Sequence, residues 1–223
     1  MRGKTIVVTG AGGALGSAVA RAAAARGARV ALIDVGAIGG AGDLKFPGTD
    51  LTNRAAAEAV MAAVRKETGR LDTLLNIAGG FASETLEDSD LAVWDRMFAL
   101  NLKTALTACK AALPHLIASG EGRIVNIGAL GATKAGAGMG AYAASKAAIA
   151  KLTESLAEEM KGRVTVNAVL PSTIDTPANR TAMPQADFTK WVSPADLAAV
   201  ILFLASGEAR AITGALIPVT GQV

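Results

Sequence analysis

The run Thr5-Ile-Val-Val-Thr9, continued by Gly10-Ala-Gly12-Gly13-Ala-Leu-Gly16, is the stretch that decides the fold of this chain. Its β-branched residues predict a short strand buried on both faces, and its glycines predict a tight loop. A helical pattern from Ser17 to Arg26 follows, and then a second apolar run, Arg29 to Ile33, which ends in Asp34. Strand, glycine loop, helix, strand and acid thus occur in this order within the length of one βαβ unit.

This unit predicts a dinucleotide site. Glycines let the backbone turn sharply and approach a pyrophosphate, and the helix that follows points its positive N-terminus at the phosphates. Asp34 would accept hydrogen bonds from the adenosine ribose hydroxyls and would repel a 2′-phosphate. No Arg or Lys occurs in the ten residues after Asp34 to offset that repulsion. We therefore expect NAD as cofactor, with NADH preferred over NADPH; the alternative is a glycine-rich turn with an incidental acid.

The rest of the chain continues to alternate between strand and helix patterns. Further strands are predicted at Leu44–Phe46, Leu71–Ile77, Arg123–Ile127, Val164–Leu170 and Leu216–Val219. Helices are predicted at Asn53–Thr68 with Thr52 as N-cap, Trp94–Ile117, Ala141–Met160, and from the N-cap Ser193 to about Ala205, with an irregular stretch between Pro171 and Trp191. The pattern predicts one α/β domain over residues 1–223. We expect a Rossmann fold with a doubly wound parallel sheet of about seven strands and helices on both faces.

Composition excludes several classes of protein. The net charge of +3 is spread along the chain, whereas nucleic-acid binding calls for a clustered basic face. No apolar run reaches the roughly 18 residues of a membrane span, and the N-terminus lacks a signal-peptide pattern. Cys109 and His115 are each the single residue of their kind, so neither a disulfide framework nor a metal cluster is expected. We expect a cytoplasmic protein that acts on a small molecule, without nucleic acid, membrane or metal.

Tyr142 and Lys146, in the stretch Tyr142-Ala-Ala-Ser-Lys146, are the two residues whose spacing points most clearly to catalysis. The two residues share one face of a predicted helix, so phenol and ammonium would lie side by side. A neighbouring cation favours phenolate and would lower the pKa of Tyr142, as a tyrosine that passes protons near neutral pH requires. The plain alternative is a tyrosine packed against a lysine stem.

Taken as a set, these motifs resemble the short-chain dehydrogenases over essentially the whole chain. The resemblance rests on Thr9-Gly10 with its glycine loop, Asp50-Leu51, Asn76-x-Ala78-Gly79, Asn101, Tyr142-x-x-x-Lys146, Pro171-x-x-x-x-Thr176 and Ile212-Thr213-Gly214-x-x-Ile217-x-Val219. It implies that Tyr142 donates or accepts the proton. It also implies that Lys146 holds the nicotinamide ribose and depresses the tyrosine pKa, and that Asn101 anchors a water relay behind the lysine.

The resemblance also implies a set of dinucleotide contacts and a quaternary structure. The expected contacts are Gly10, Gly12, Gly13, Ala14, Leu15, Gly16, Asp34, Asp50, Leu51, Asn76, Ala78, Gly79, Tyr142, Lys146, Pro171, Thr173 and Thr176. Members of this family commonly form homo-oligomers, so a homodimer or homotetramer is expected.

Two positions depart from the family pattern. Ala14 stands where the family usually has glycine. More important, the serine that orients a substrate carbonyl in the family would lie 13 residues before Tyr142, and that position is Ala129. Neither Ser145, within the helix, nor Thr133, several residues too late, is an obvious substitute. The usual hydroxyl is therefore missing.

Both departures resemble the dihydropteridine reductase branch of the family, as do Ala78-Gly79-Gly80-Phe81, the run from Ala168 to Arg180 and the run from Met183 to Trp191. That branch lacks the serine and uses NADH to reduce a quinonoid dihydropterin, whereas the presence of Asn101 is a difference from it. The implied substrate residues are Phe81, Ala129 and Trp191, the two aromatic residues serving either as a stacking face or as core.

Three hypotheses follow from the sequence. The first is an NADH-dependent reductase of a dihydropterin or a similar conjugated imine. The second is an alcohol or carbonyl dehydrogenase that tolerates Ala129. The third is a nucleotide-binding protein without chemistry, which the presence of Tyr142, Lys146 and Asn101 disfavours because a pure binder does not need the tyrosine.

Overall fold

In residues 1–40 and 42–222, which the computed structural model describes, seven strands form one parallel sheet. The strands are β1 (Thr5–Thr9), β2 (Arg29–Ile33), β3 (Leu44–Phe46), β4 (Thr73–Asn76), β5 (Gly122–Ile127), β6 (Val164–Pro171) and β7 (Leu216–Val219). Their order across the sheet is β3-β2-β1-β4-β5-β6-β7. The strand order reverses between β1 and β4, and ligands of such sheets bind at the carboxyl ends of the strands around this reversal.

Helices connect most of the consecutive strands. They are α1 (Ala14–Ala25), α2 (Arg54–Thr68), α3 (Leu91–Met97), α4 (Thr104–Ala118), α5 (Gly140–Glu159), α6 (Pro177–Ala182) and α7 (Pro194–Leu204), with a π-helical segment (Phe98–Lys103) between α3 and α4. Within the described ranges none of these helices is long and apolar enough to cross a membrane.

The core lies in two layers, one on each face of the sheet. Successive side chains of a strand point to opposite faces, so Ile6 and Val8 of β1 join the layer under α1 and α7. Val7 points the other way, into the layer that α2, α4 and α5 cover. Because both faces of the strands are buried, β1 is apolar without alternation. The doubly wound Rossmann fold with helices on both faces is thereby confirmed.

Local signals place most element boundaries. The predicted bounds of β1, β2, β3 and β7 match the structure, and β3 lies at one edge of the sheet. Ser193 caps α7 by accepting a hydrogen bond from the N–H of Asp196 at 3.0 Å. The sequence named Thr52 as the cap of α2, which is wrong. The cap is Asn53, whose Oδ1 accepts from the N–H of Ala56 at 3.2 Å.

Four further predictions are corrected. Helix α1 begins at Ala14 rather than Ser17, so the end of the glycine run is already helical, and β4 spans four residues rather than the predicted seven. The predicted helix Trp94–Ile117 consists of α3, the π-helical segment and α4, because hydrophobic periodicity does not report a change in helical hydrogen bonding. The predicted irregular stretch after Pro171 contains α6, which Thr176 caps and Pro177 begins.

Candidate active site

A cleft of about 1670 Å³ runs along the carboxyl ends of the strands. It exceeds the roughly 300–1,000 Å³ of most small-molecule pockets, which leaves room for a dinucleotide together with a second molecule. Sixteen of the seventeen residues that the sequence assigned to the cofactor line it. They are Gly10, Gly12, Gly13, Ala14, Leu15, Gly16, Asp34, Asp50, Leu51, Ala78, Gly79, Tyr142, Lys146, Pro171, Thr173 and Thr176.

The glycine loop forms a cradle that side chains would fill. Gly10 has a φ of +65°, and a Cβ there would lie 2.7 Å from the backbone N of Ala78. A Cβ on Gly16 would lie 2.1 Å from the carbonyl oxygen of Gly10. Gly13, the N-cap of α1, offers no side-chain acceptor to the first-turn N–H groups. Those groups are therefore available to an anion such as a pyrophosphate.

Asp34 is held at the tip of β2 by two backbone donors. Its Oδ2 accepts from the N–H of Gly12 at 2.9 Å, and its Oδ1 accepts from the N–H of Gly36 at 2.8 Å. A carboxylate has about four acceptor positions, so further donors such as ribose hydroxyls have a place. With the uncapped helix end and the cradle, this arrangement fits an adenine dinucleotide.

Lys146 is buried at the floor of the cleft. Its Nζ donates to the carbonyl oxygen of Ile127 at 2.8 Å, and only 7% of the residue is exposed. Burial disfavours the charged ammonium and lowers the pKa of Lys146 to about 8. Lys146 therefore remains mainly protonated at neutral pH.

Tyr142 lies on the cleft wall one helical turn before Lys146. Burial raises the pKa of Tyr142 above its ordinary value, because a phenolate is harder to bury than a phenol. The sequence predicted the opposite direction from the neighbouring cation. That prediction is wrong in this structure, where loss of hydration sets the direction of the shift.

Asn101 lies behind the cleft in the π-helical segment and is almost fully buried. Its Oδ1 accepts from the N–H of Gly80 at 2.9 Å, and its Nδ2 donates to the Gly80 carbonyl at 3.1 Å and to Ser145 Oγ at 2.9 Å. The Ser145 hydroxyl in turn donates to the carbonyl of Tyr142 at 2.7 Å. Asn101 thereby ties the loop after β4 to the helix that carries Tyr142.

Ala129, the position at which the expected serine hydroxyl is missing, lies in the cleft wall. Ala129 lines the cleft with 6% of its surface exposed, and it contributes a methyl group to the wall. Ser145 is fully buried and bonded to the backbone, so it does not replace the missing serine. Thr133 does line the cleft, and its Oγ1 donates to the carbonyl of Leu130 at 2.7 Å.

Phe81 stands directly against Tyr142. The two ring centroids are 4.9 Å apart with an interplanar angle of 68°, an edge-to-face arrangement. Phe81 lines the cleft and 62% of it is exposed, so its ring is open to a bound molecule rather than part of the core.

Two predicted site residues lie elsewhere. Asn76 is buried inside the fold, where its Nδ2 donates to Asn126 Oδ1 at 2.8 Å and to Cys109 Sγ at 3.1 Å, so it lies away from the cofactor wall. Trp191 is absent from the cleft walls and packs against Phe188 with centroids 4.8 Å apart. The sequence did not reveal the partners of Asn76, because Cys109 and Asn126 lie 33 and 50 residues further along the chain.

Several residues of the cleft wall went unnoticed in the sequence. Lys134, Asn179 and Met183 also line the cleft. Asn179 and Met183 belong to the stretch that resembles the pterin enzymes, so a signal for them existed. Lys134 sits in a loop of Gly and Ala without a motif, and no local pattern would have identified it.

Known proteins share this fold and sequence. A family model described as short chain dehydrogenase matches residues 4–187. The chain is 34% identical over 247 residues to 2-(S)-hydroxypropyl-CoM dehydrogenase 3 of Xanthobacter autotrophicus, covering 99% of this chain and 96% of that protein. It is 35% identical over 237 residues to the 3-oxoacyl-[acyl-carrier-protein] reductase FabG of Vibrio cholerae, covering 99% and 97%.

Solved structures of dehydrogenases share the fold of this chain. The aldohexose dehydrogenase of Thermoplasma acidophilum superposes with a TM-score of 0.93 at 31% identity, covering 99% of this chain and 94% of that one. Carveol dehydrogenase of Mycobacterium avium in complex with NAD gives a TM-score of 0.88 at 26% identity, covering 99% and 97%. None of these four proteins is named a dihydropteridine reductase. The family-model match over most of the chain shows that the protein belongs to the short-chain dehydrogenase family and is an oxidoreductase of that type.

Proposed function

We propose that the protein is an NADH-dependent reductase of a flat, conjugated imine, with quinonoid dihydropterin as the expected substrate. The observation that carries this proposal is Ala129, which puts a methyl group where a carbonyl reductase of this family would have an orienting hydroxyl. A ketone needs its oxygen held while hydride reaches the carbon, and a fixed hydroxyl does part of that work. A planar, electron-poor ring can instead be positioned by stacking.

Asp34 supports the choice of NADH over NADPH. Its carboxylate is fixed at the adenosine end of the cleft and would repel a 2′-phosphate. Of the described cleft-lining residues, only Lys134 and Lys146 are cationic, and neither neighbours Asp34 in the fold. The bound NADH would supply the hydride.

The remaining chemistry falls to two side chains. Tyr142 would donate the proton, and its raised pKa keeps the phenol protonated at neutral pH, as a donor in a reduction must be. Lys146, fixed on the Ile127 carbonyl, would hold the nicotinamide ribose. Asn101 would act from behind by fixing the loop at Gly80 to the helix of Tyr142 and by anchoring the water relay expected behind the lysine.

Phe81 supports a flat substrate. Its exposed ring meets the Tyr142 ring edge to face, and Ala129 lines the same cleft with a small side chain. A ring system that packs on Phe81 would lie within reach of the phenol, and reduction would give a quinonoid dihydropterin aromatic character in its pyrimidine ring. Apolar contact would then replace the missing hydroxyl in orienting the substrate.

A second candidate is an alcohol or carbonyl dehydrogenase. It is favoured by the names of the relatives, which include a hydroxypropyl-CoM dehydrogenase and a 3-oxoacyl reductase. In that case Tyr142 would hold the substrate oxygen without help from residue 129. A binding protein without chemistry is disfavoured, because it would have no use for Tyr142 and Lys146 in one cleft wall.

The proposal extends to location and partners. We infer a cytoplasmic protein that acts on a small molecule as a homodimer or homotetramer and binds neither nucleic acid nor membrane. Its charge is small and spread along the chain, which supports this view of its partners.

A turnover assay tests the function. Purified protein would be given NADH or NADPH with quinonoid dihydropterin, simple ketones and a 3-oxoacyl thioester. We expect NADH oxidation with the dihydropterin and near-background rates with the ketones. Tyr142→Phe should keep NADH affinity and lose about 10²–10⁴-fold in turnover, the usual contribution of general acid catalysis. Ketone turnover without dihydropterin turnover would instead select the second candidate.

A further inference from the structure

The loop of residues 173–192, between β6 and α7, is closed at its base by backbone pairing. Ile174 and Val192 form a parallel bridge, the N–H of Asp175 donates to the Val192 carbonyl at 2.8 Å, and the N–H of Val192 donates to the Thr173 carbonyl at 3.0 Å. Val192 is buried in the core layer beneath α7, and Ile174 packs against it. Both ends of the loop are thus fixed to the rigid part of the fold.

Helix α6 within this loop presents one side to the cleft. Ala178, Asn179, Ala182 and Met183 line the cleft, and their spacing of three and four residues puts them on one helical face. Asn179 also ties that face to the base of the loop, because its Nδ2 donates to the Ile174 carbonyl at 2.8 Å. This face forms one wall of the substrate end.

A helix of six residues is too short to be stable alone, so other contacts must hold it. Arg180, on the side away from the cleft, supplies them. Its Nε and Nη2 donate to the two carboxylate oxygens of Asp175 at 2.6 and 2.7 Å, a bidentate pair. Its guanidinium carbon also lies 4.8 Å from the centroid of the Phe188 ring, within cation–π distance.

The contact continues from Phe188 to Trp191, whose ring centroid is 4.8 Å away. Trp191 precedes Val192 at the base of the loop. Arg180 therefore connects the outer side of α6 to both ends of the loop, through Asp175 on one and through the two aromatic rings on the other. This arrangement gives the aromatic residues of the loop a role although neither lines the cleft.

We propose that Arg180 is a positioning residue that holds the cleft-facing side of α6 in place and thereby sets substrate affinity. The consequence for substrate rests on the proposed reductase function, whereas the consequence for loop order does not. Arg180 does not line the cleft, so it acts through the wall residues and not by touching substrate.

Three variants test the proposal. Arg180→Met keeps the length of the side chain but removes both contacts, Arg180→Lys keeps the charge without the bidentate geometry, and Asp175→Asn removes the carboxylate charge. Arg210→Met is the matched control, because Arg210 is also exposed and lies outside the cleft wall.

With NADH and quinonoid dihydropterin, Arg180→Met should raise KM between about tenfold and about 100-fold, the range that a small misplacement of a binding wall produces. Its kcat and NADH Kd should stay within about twofold of wild type. Arg180→Lys should be intermediate and Arg210→Met unchanged. The double variant Arg180→Met/Asp175→Asn should have a KM no higher than that of the poorer single variant, because both changes break the same Arg180–Asp175 pair.

Hydrogen exchange of the protein without substrate tests the effect of Arg180 on loop order separately from its effect on substrate affinity. Amides of residues 178–183 should exchange about tenfold faster in Arg180→Met, with exchange in the sheet unchanged. Unchanged exchange overturns the proposal, and so does faster exchange with an unchanged KM. If no substrate is turned over, the reductase function fails and the exchange result alone decides whether Arg180 holds the wall.

Discussion

Ala129 is the residue whose replacement separates the two candidate substrates. Ala129→Ser would restore a hydroxyl to a buried position of the cleft wall. If the site is built for a flat pterin, the hydroxyl gains no partner and crowds the ring, so dihydropterin turnover should stay equal or fall. Ketone turnover should remain near background in both proteins.

Steady-state assays of wild type and Ala129→Ser on both substrate classes make this measurement. A rise in ketone turnover by about tenfold or more in the variant would contradict the pterin proposal, since one oriented donor at a developing oxyanion is worth at least that much. Ala132→Ser, on the same loop and outside the cleft wall, is the matched control.

Lys146 predicts a pH dependence of cofactor binding. Its pKa of about 8 means that the ammonium is present at pH 7 and is lost as the pH rises through about 8. NADH affinity should therefore be constant below this value and decline above it. Fluorescence titration of NADH between about pH 6 and about pH 10 would follow the change.

The matched variants for this curve are Lys146→Arg and Lys151→Arg. A guanidinium stays protonated over the whole range, so Lys146→Arg should remove the decline while weakening binding. Lys151 is exposed on α5 and pairs with Glu154, so its replacement should leave the curve as it is. NADH affinity that is flat through pH 8 to 9 in wild type would show that the ammonium does not hold the cofactor.

Asp34 predicts the choice between NADH and NADPH. Asp34→Ala would remove the carboxylate that would face the 2′ position of the ribose. The ratio of NADH affinity to NADPH affinity should therefore fall by about tenfold or more. Isothermal titration with each cofactor measures it. The variant also removes the acceptor for the Gly12 and Gly36 N–H groups, so some loss of NADH affinity is expected as well. Wild-type protein that binds NADPH more tightly than NADH would refute the role given to Asp34.

At the scale of elements, the start of α2 distinguishes two neighbouring cap candidates. Asn53 Oδ1 accepts from the first turn of the helix, whereas Thr52 precedes it. Asn53→Ala should lower the free energy of unfolding by about 1 kcal/mol, the usual loss of an N-cap. Thr52→Ala should change it by less than about 0.5 kcal/mol. Urea denaturation of both variants makes the comparison, and equal losses would mean that the cap is shared.

The π-helical segment shows how an element can serve the site. It interrupts an otherwise continuous helix at Phe98–Lys103 and carries Asn101 toward Gly80 and Ser145. The side chain thus pairs with both backbone polar groups of Gly80, a buried set of hydrogen bonds that an apolar residue could not replace without loss. An irregularity of the helix is therefore what places this asparagine behind the cleft.

For the whole molecule, we expect a homodimer or homotetramer. Helices α4 and α5 are rich in Ala, which permits close approach of a second copy, and Leu106 and Ile117 of α4 are 45% and 37% exposed. Light scattering at roughly micromolar concentration should give the mass of two or four chains. Leu106→Glu should lower that mass, whereas Leu91→Glu, at an exposed leucine of α3, should not. A monomeric wild type would rule the assembly out.

Local sequence patterns were enough to predict the sheet and the cofactor end of the site. Residues 5–9 and 29–33 are too apolar to leave either face in water, and Gly10, Gly16 and Asp34 follow them at the carboxyl ends. These signals act over a few residues: side-chain shape, the freedom of glycine and the first turn of a helix. That is why the limits of β1, β2, β3 and β7 and the cofactor-lining residues of the cleft could be predicted without coordinates.

The surroundings of each side chain, in contrast, depend on how the whole chain packs. Burial reversed the expected direction of the Tyr142 pKa shift and lowered the pKa of Lys146, because hydration is lost when distant segments cover a residue. Asn76 faces Asn126, 50 residues away, instead of the cofactor. Such outcomes depend on which parts of the chain fill the neighbouring space, and a local sequence pattern does not contain that information.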